Sequence, residues 1–209
     1  AKERCYFAAH GLDVEIIAPA DPNDPPKLVA AGKADIAISY QPQLHVQVAA
    51  GLPLTRFATL IATPLNTLLV LKDGPVKSIA DLKGRKVGYS IGGFEDALLR
   101  AMLARHDLSL NDITLVNVNF SLSPALLSGQ VDAVIGAYRN FELNQMDIEG
   151  HKGHAFYVEE EGVPSYDELI LVANPERMDR AVLRRFLDAL EDGVRYLVNH
   201  PDESWALFI

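Results

Sequence analysis

The chain has 209 residues, 49% of them hydrophobic, and its 28 acidic against 19 basic residues leave a formal charge of -9. There is enough apolar material for a core, while the acidic balance lacks the basic patch that nucleic acid or an anionic membrane surface requires, so neither is expected as a partner. A single cysteine, Cys5, excludes an internal disulfide and any CxxC metal or redox site.

In chain order, "AKERCYFAAHGL" reads as a charged, helix-like start without the apolar run of a signal peptide. "DVEIIAP" (Asp13 to Pro19) predicts a short strand, "PKLVAAGKA" a short helix, "DIAIS" a buried strand, and "PQLHVQVAAG" a helix closing on Gly51. "TRFATLIATPLNTLLVLKD" (Thr55 to Asp73) reads as an extended crossover. The rhythm then returns with "KVGYS", a helix from Gly93 to His106 expected to bury Phe94, Ala97, Leu98, Ala101 and Met102, then "ITLVNVN", "SPALLSG", "VDAVIGA" and "RNFELNQM". "YDELILVANPE" (Tyr166 to Glu176) is a second crossover. In the last long helix Leu183, Phe186, Leu187, Leu190, Val194 and Leu197 form one apolar stripe, predicted to be core. The final "HPDESWALFI" reads as a helix cut off mid-pattern, and both ends are expected to be incomplete. The longest apolar runs, such as "TLLVL", fall far short of the roughly 20 residues a bilayer span needs.

Alternation of this kind predicts an α/β fold with parallel or mixed sheets covered by helices. A short internal echo, "AAGKADIAIS" and "LSGQVDAVIG", repeats a helix closed by glycine (Gly32, Gly129), a polar turn residue (Asp35, Asp132) and a strand. Two similar lobes would explain it. A chain that leaves one lobe, builds a second and returns crosses twice, and the two crossing strands act as a hinge. Lobe 1 is then residues 1–64 plus 168–209, and lobe 2 residues 65–167.

The stretches "VAAGKADIAISYQPQL", "ATPLNTLLVLKDGPVKSIADLKGRKVGYSIGGFEDALL" and "NVNFSLSPALLSGQVDAVIGAYRNFELNQM" resemble the solute-binding proteins of bacterial ABC importers. Within them the chain is most similar to the branch that binds pyrimidine precursors of thiamine. That branch is related in fold to sulfonate- and taurine-binding proteins and to the yeast enzymes that synthesise the pyrimidine. The similarity runs from about Tyr6 to about Asn199; "DLKGRKVGYS" is widespread in the superfamily, whereas "GGFEDALL" and "YRNFELNQM" belong more to the pyrimidine branch. Family members place a strand and an aromatic, asparagine-containing loop ahead of the first helix, and this chain starts inside that helix. The yeast enzymes carry a cysteine-rich iron-binding motif that a chain with only Cys5 cannot supply. The resemblance therefore implies a two-lobed, periplasmic-binding-protein-like carrier and not an enzyme. It implies no cofactor or metal, a monomer, a small pyrimidine ligand, an ABC permease as partner, and a periplasmic or lipid-anchored location.

Glu142, in "YRNFELNQM", is the leading ligand-binding candidate, because a carboxylate can meet the ring nitrogen and adjacent amine of an aminopyrimidine with two hydrogen bonds. The alternative is an ordinary exposed helix glutamate. Tyr40 and Tyr138 follow strands at the end where open α/β sheets place ligands, and with Phe94 they are the stacking candidates, although Phe94 also sits on an apolar stripe. Gly92 and Gly93 mark a strand-to-helix turn whose N–H groups are expected to face the cleft. Glu95 and Asp96 in that turn would repel an anion, so a neutral or weakly basic ligand group is expected there. Thr63 and Asn66 in "TPLN" are hinge-proximal hydrogen-bonding candidates, and Ser39, Asn119 and Ser121 are weaker ones. His151 and His154 flank a glycine in what reads as a polar loop, too sparse in ligands for zinc. Three alternatives stay open: the same fold binding a sulfonate or other small anion, an enzyme of thiamine-pyrimidine synthesis using His45, and a regulatory sensor domain.

Overall fold

In a computed structural model, which describes residues 1–209, the alternation of the sequence becomes two mixed sheets. The smaller has the order β1-β8-β2, from β1 (Ala37–Ser39), β2 (Thr55–Ile61) and β8 (Leu169–Ala173), with both neighbours antiparallel to β8. The larger has the order β5-β4-β6-β3-β7, from β3 (Asn66–Leu71), β4 (Lys86–Tyr89), β5 (Thr114–Asn117), β6 (Ala133–Tyr138) and β7 (Gly153–Tyr157). Here β4 runs parallel to β5 and β6, while β3 is antiparallel to β6 and β7. The "TPLN" turn carries the chain from β2 in one sheet to β3 in the other, and the segment before β8 carries it back.

The chain packs as two compact units. One, residues 19–175, holds both sheets with α2 (Asp24–Ala30), α3 (Gln41–Ala49), α4 (Glu95–Ala104), α5 (Leu122–Leu127) and α6 (Glu142–Ile148). Strands β3 and β6 are buried on both faces, which is why they read as continuous apolar runs. Their side chains alternate: Leu68, Val70, Ala133 and Ile135 join the core under α4 with Leu99, Met102 and Leu103, whereas Leu69 and Val134 join Leu122, Leu126 and Met146 of α5 and α6. A smaller cluster, with Val29, Leu44, Ile170 and Val172, seals the three-stranded sheet. The internal echo is structural, since Gly32 and Gly129 both take left-handed backbone (φ +70° and +73°) after α2 and α5, ahead of β1 and β6.

The other unit, residues 1–18 with 176–209, holds α1 (Tyr6–Ala9), α7 (Arg180–Asn199) and α8 (Pro201–Phe208). Asp179 caps α7 by accepting from the N–H groups of Ala181 and Val182 at 2.8 and 3.2 Å. Phe7 stacks on Phe186 with ring centres 5.3 Å apart.

Five expectations are corrected. Residues 13–19 form no strand: Ile16 and Ile17 are exposed, and β-favouring side chains make a strand only where a ladder partner exists. The stripe of α7 is core only in part: Leu183 is buried, whereas Val194 and Leu197 are exposed. In α4, Ala97 is exposed, and Leu99 and Leu103 are buried with Leu98 and Met102. His154 lies in β7 and not in a loop, its ring edge-on to Phe156. The strand "DIAIS" is buried on one face only, with Ile38 half exposed.

Candidate functional site

Strands β4 and β6 are parallel neighbours, so their C-terminal ends emerge on one side of the sheet and the turns leading into α4 and α6 lie close together. Both helices begin on a glutamate that folds back onto its own turn. Glu95 accepts from the backbone N–H of Ser90 at 2.7 Å and of Ile91 at 3.2 Å, both through Oε2. Glu142 accepts from the N–H of Tyr138 at 2.6 Å. The N–H groups of the glycine turn are thus partly occupied from within, and the ordinary helix-end acid of the sequence reading is a buried structural group: Glu95 is 3% exposed.

These turns border a cavity of about 360 Å³, within the range of small-molecule sites. Its wall includes Tyr40, Asn66, Phe94, Tyr138 and Glu142, which the sequence singles out, and also Pro22, Ser90, Ile91, Glu95, Phe120, Leu122, Gly136 and Phe141. Tyr40 stacks on Phe94 (5.2 Å, 18°), and Phe94 meets the edge of Tyr166 (6.2 Å, 90°). Phe120 and Phe141 are 60% and 61% exposed, two large apolar side chains presented at this site with no core to join. Asn66 is buried and accepts from the N–H of Gly136 at 3.0 Å through Oδ1, which leaves its amide nitrogen as a donor. No lysine, arginine or histidine is on the wall. Arg139, next to Tyr138, is held by Glu159 in two 2.8 Å bonds and lies over the Tyr157 ring.

Gly136 is required here by its neighbour. Its φ is +102°, and a Cβ at that position would lie 2.5 Å from Oε1 of Glu95 and 2.7 Å from Oε2. Burial pushes the Glu95 carboxyl up to about 8, against the opposing pull of the Ser90 and Ile91 N–H donors. Burial also raises Glu142, with the Tyr138 N–H opposing it. Behind the cavity, fully buried Glu168 joins the two crossover segments: its Oε2 accepts from the N–H groups of Leu65 (2.7 Å) and Asn66 (2.9 Å) and from the Tyr166 hydroxyl (3.0 Å). Burial raises this carboxyl as well, and drives the hydroxyls of Tyr138 and Tyr166 far above the ordinary tyrosine range.

Other candidates lie off the wall. Gly92 and Gly93 are exposed on the outer side of the turn, with Gly93 at φ +81°. Ser39 is buried and donates to Gln43 at 3.0 Å. Thr63 is exposed, and Ser121 is an exposed N-cap that makes no side-chain cap bond. Asn119 takes left-handed backbone (φ +51°) and its carbonyl accepts from the Ser90 hydroxyl. His45 is exposed on α3. The sequence did carry a signal for Glu95: Glu95, Leu98, Leu99 and Met102 follow helical i, i+3, i+4, i+7 spacing, which puts the carboxyl on the buried face. Glu168, Phe120 and Phe141 belong to no local pattern that would have marked them.

Residues 1–204 match the family model described as NMT1/THI5 like. A Haemophilus influenzae protein named "Putative thiamine biosynthesis protein" is 58% identical over 209 residues, covering 100% of this chain and 67% of its own. The formylaminopyrimidine-binding protein of Halalkalibacterium halodurans is 36% identical over 206 residues, covering 98% of this chain and 62% of its own. The chain thus spans about two-thirds of the length of these relatives. Among solved structures, the alkanesulfonate-binding protein SsuA from Xanthomonas axonopodis pv. citri, bound to MOPS, superposes with a TM-score of 0.74 at 17% identity, over 97% of this chain and 70% of its own. At that identity the likeness concerns the fold, which is the two-lobed α/β fold of periplasmic solute-binding proteins. The matched span and the identity to both relatives place the chain in the NMT1/THI5-like family.

Proposed function

We propose that this chain is the solute-binding component of an ABC importer, and that it captures a thiamine-related aminopyrimidine, of the hydroxymethyl or formylaminomethyl type, in the cavity bounded by Tyr40, Phe94, Tyr138 and Glu142. The observation that carries the ligand class is the wall itself: aromatic faces and two carboxyls, with no cationic side chain. A flat, neutral heterocycle suits those faces, and its exocyclic amine can donate to Glu142. A sulfonate or phosphate would meet the Glu142 carboxylate with no lysine or arginine on the wall to offset it, which disfavours the anion reading. The named pyrimidine ligand of the 36% identical relative points the same way.

The chain binds without chemistry. A synthase reading would need a histidine and metal ligands at the cavity, and His45 faces solvent. In the lobe arrangement proposed here, residues 1–64 with 168–209 and residues 65–167 close on the ligand about the two crossover segments. Contacts present only in the closed form shift that equilibrium. The permease as partner and an extracytoplasmic location, periplasmic or lipid-anchored, follow from this role; no helix is long and apolar enough to cross a membrane.

A melting-temperature panel tests the reading: 4-amino-5-hydroxymethyl-2-methylpyrimidine, its formylaminomethyl counterpart, thiamine, taurine and phosphate. A ligand at a hundredfold excess over Kd stabilises the folded state by about 2.7 kcal/mol. The expected result is a shift with the pyrimidines and none with the anions. A shift with taurine alone would overturn the assignment.

A further inference from the structure

Glu95 is a buried carboxyl of the cavity wall whose two oxygens have different surroundings. Its Oε2 is satisfied by the N–H groups of Ser90 and Ile91, while Oε1 accepts from no group of the protein and rests against Gly136 on the cavity wall. The groups around it cannot balance a charge: Glu168 and Asp96 are acidic, Tyr40 and Tyr166 are neutral hydroxyls, Glu142 is a second carboxyl of the same wall, and no cationic side chain lines the cavity. A carboxylate only 3% exposed with no cation beside it is costly, whereas a carboxylic acid with Oε2 as acceptor and a proton on Oε1, the oxygen open to the cavity, satisfies both the turn and the cavity.

We propose that Glu95 serves the cavity as a neutral hydrogen-bond donor, its Oε1–H meeting an acceptor atom of the bound heterocycle while Glu142 accepts from the ligand's amine. The inference rests on the aminopyrimidine reading and sharpens it: the preferred ligand is an uncharged ring with an acceptor nitrogen and an exocyclic amine, read by one carboxyl as acid and the other as base. The upward displacement of the Glu95 carboxyl to about 8 agrees with this assignment and sets the range in which it is tested. A glutamine at this position reproduces the arrangement, its carbonyl facing the two N–H groups and its amide nitrogen facing the cavity.

The test is calorimetric titration of 4-amino-5-hydroxymethyl-2-methylpyrimidine into wild type, Glu95→Gln and Glu95→Ala between pH 6 and 9.5. Wild-type affinity should be level to about pH 8 and then weaken by about tenfold per unit as the donor is lost. Glu95→Ala should bind at least about tenfold more weakly at pH 7; Glu95→Gln should recover most of that loss and show no alkaline decline. Any titration of the probe itself is common to all three proteins. A ligand-free measurement runs alongside. Because the folded value lies above the ordinary 4.5, folding takes up a proton between those two values, so wild-type melting temperature should fall relative to Glu95→Gln as pH rises from 5 to 8. Binding by wild type without the alkaline decline, or a level melting difference, overturns the inference and leaves the proposed function standing. Failure of wild type to bind any pyrimidine at any pH overturns both.

Discussion

The turns after β4 and β6 use one local device twice, a glutamate at the first helical position that folds back onto N–H groups of the strand end it follows. The outcomes differ because the surroundings differ. Glu95 is sealed against Gly136 on the apolar face of α4, whereas Glu142 stands half-buried beside the exposed ring of Phe141. Both carboxyls are raised by burial, Glu95 as far as about 8. The backbone motif sets where each carboxyl sits, and burial decides whether it serves as donor or acceptor.

That contrast can be broken most severely at Gly136. Gly136→Ala forces a Cβ into the Glu95 carboxyl at a backbone angle alanine avoids, and should cost about 3 kcal/mol in urea unfolding, with binding lost as Glu95 is displaced. At the other carboxyl, Glu142→Ala should weaken pyrimidine binding by about 100-fold in calorimetry while the melting temperature stays nearly unchanged; a large melting loss would make Glu142 a structural residue instead. Tyr40→Ala removes the ring stacked on Phe94 and should weaken binding about tenfold, read by the same titration, for either carboxyl arrangement. Smallest of all, Thr63→Ala, exposed and off the wall, should change unfolding free energy by less than about 0.5 kcal/mol and leave affinity alone.

Much of the fold was legible because two strands of the larger sheet, β3 and β6, are buried on both faces, and runs such as Thr67 to Leu71 and Ala133 to Ala137 admit few other readings. The strand expected at residues 13–19 failed for the converse reason, since its residues favour extension but pairing is a property of the partner. On the cavity wall, Tyr40 and Tyr138 were expected from their places at or near strand ends, and Glu142 from the match of a carboxylate to an aminopyrimidine and the family resemblance. The inward turn of Glu95 required combining its helical spacing with its charge, and a first-turn acid is ordinarily solvated. Glu168 lay beyond such reasoning, because its three donors come from Leu65, Asn66 and Tyr166, brought together only by the return of the chain to the smaller sheet.

The most direct test is a crystal structure of the chain with 4-amino-5-hydroxymethyl-2-methylpyrimidine. The account predicts the ring in the cavity beside Tyr40 and Tyr138, its amine within hydrogen-bonding distance of Glu142 and a ring nitrogen facing Glu95. A ring bound away from both glutamates, or a cavity that remains unchanged at saturating pyrimidine, would contradict it.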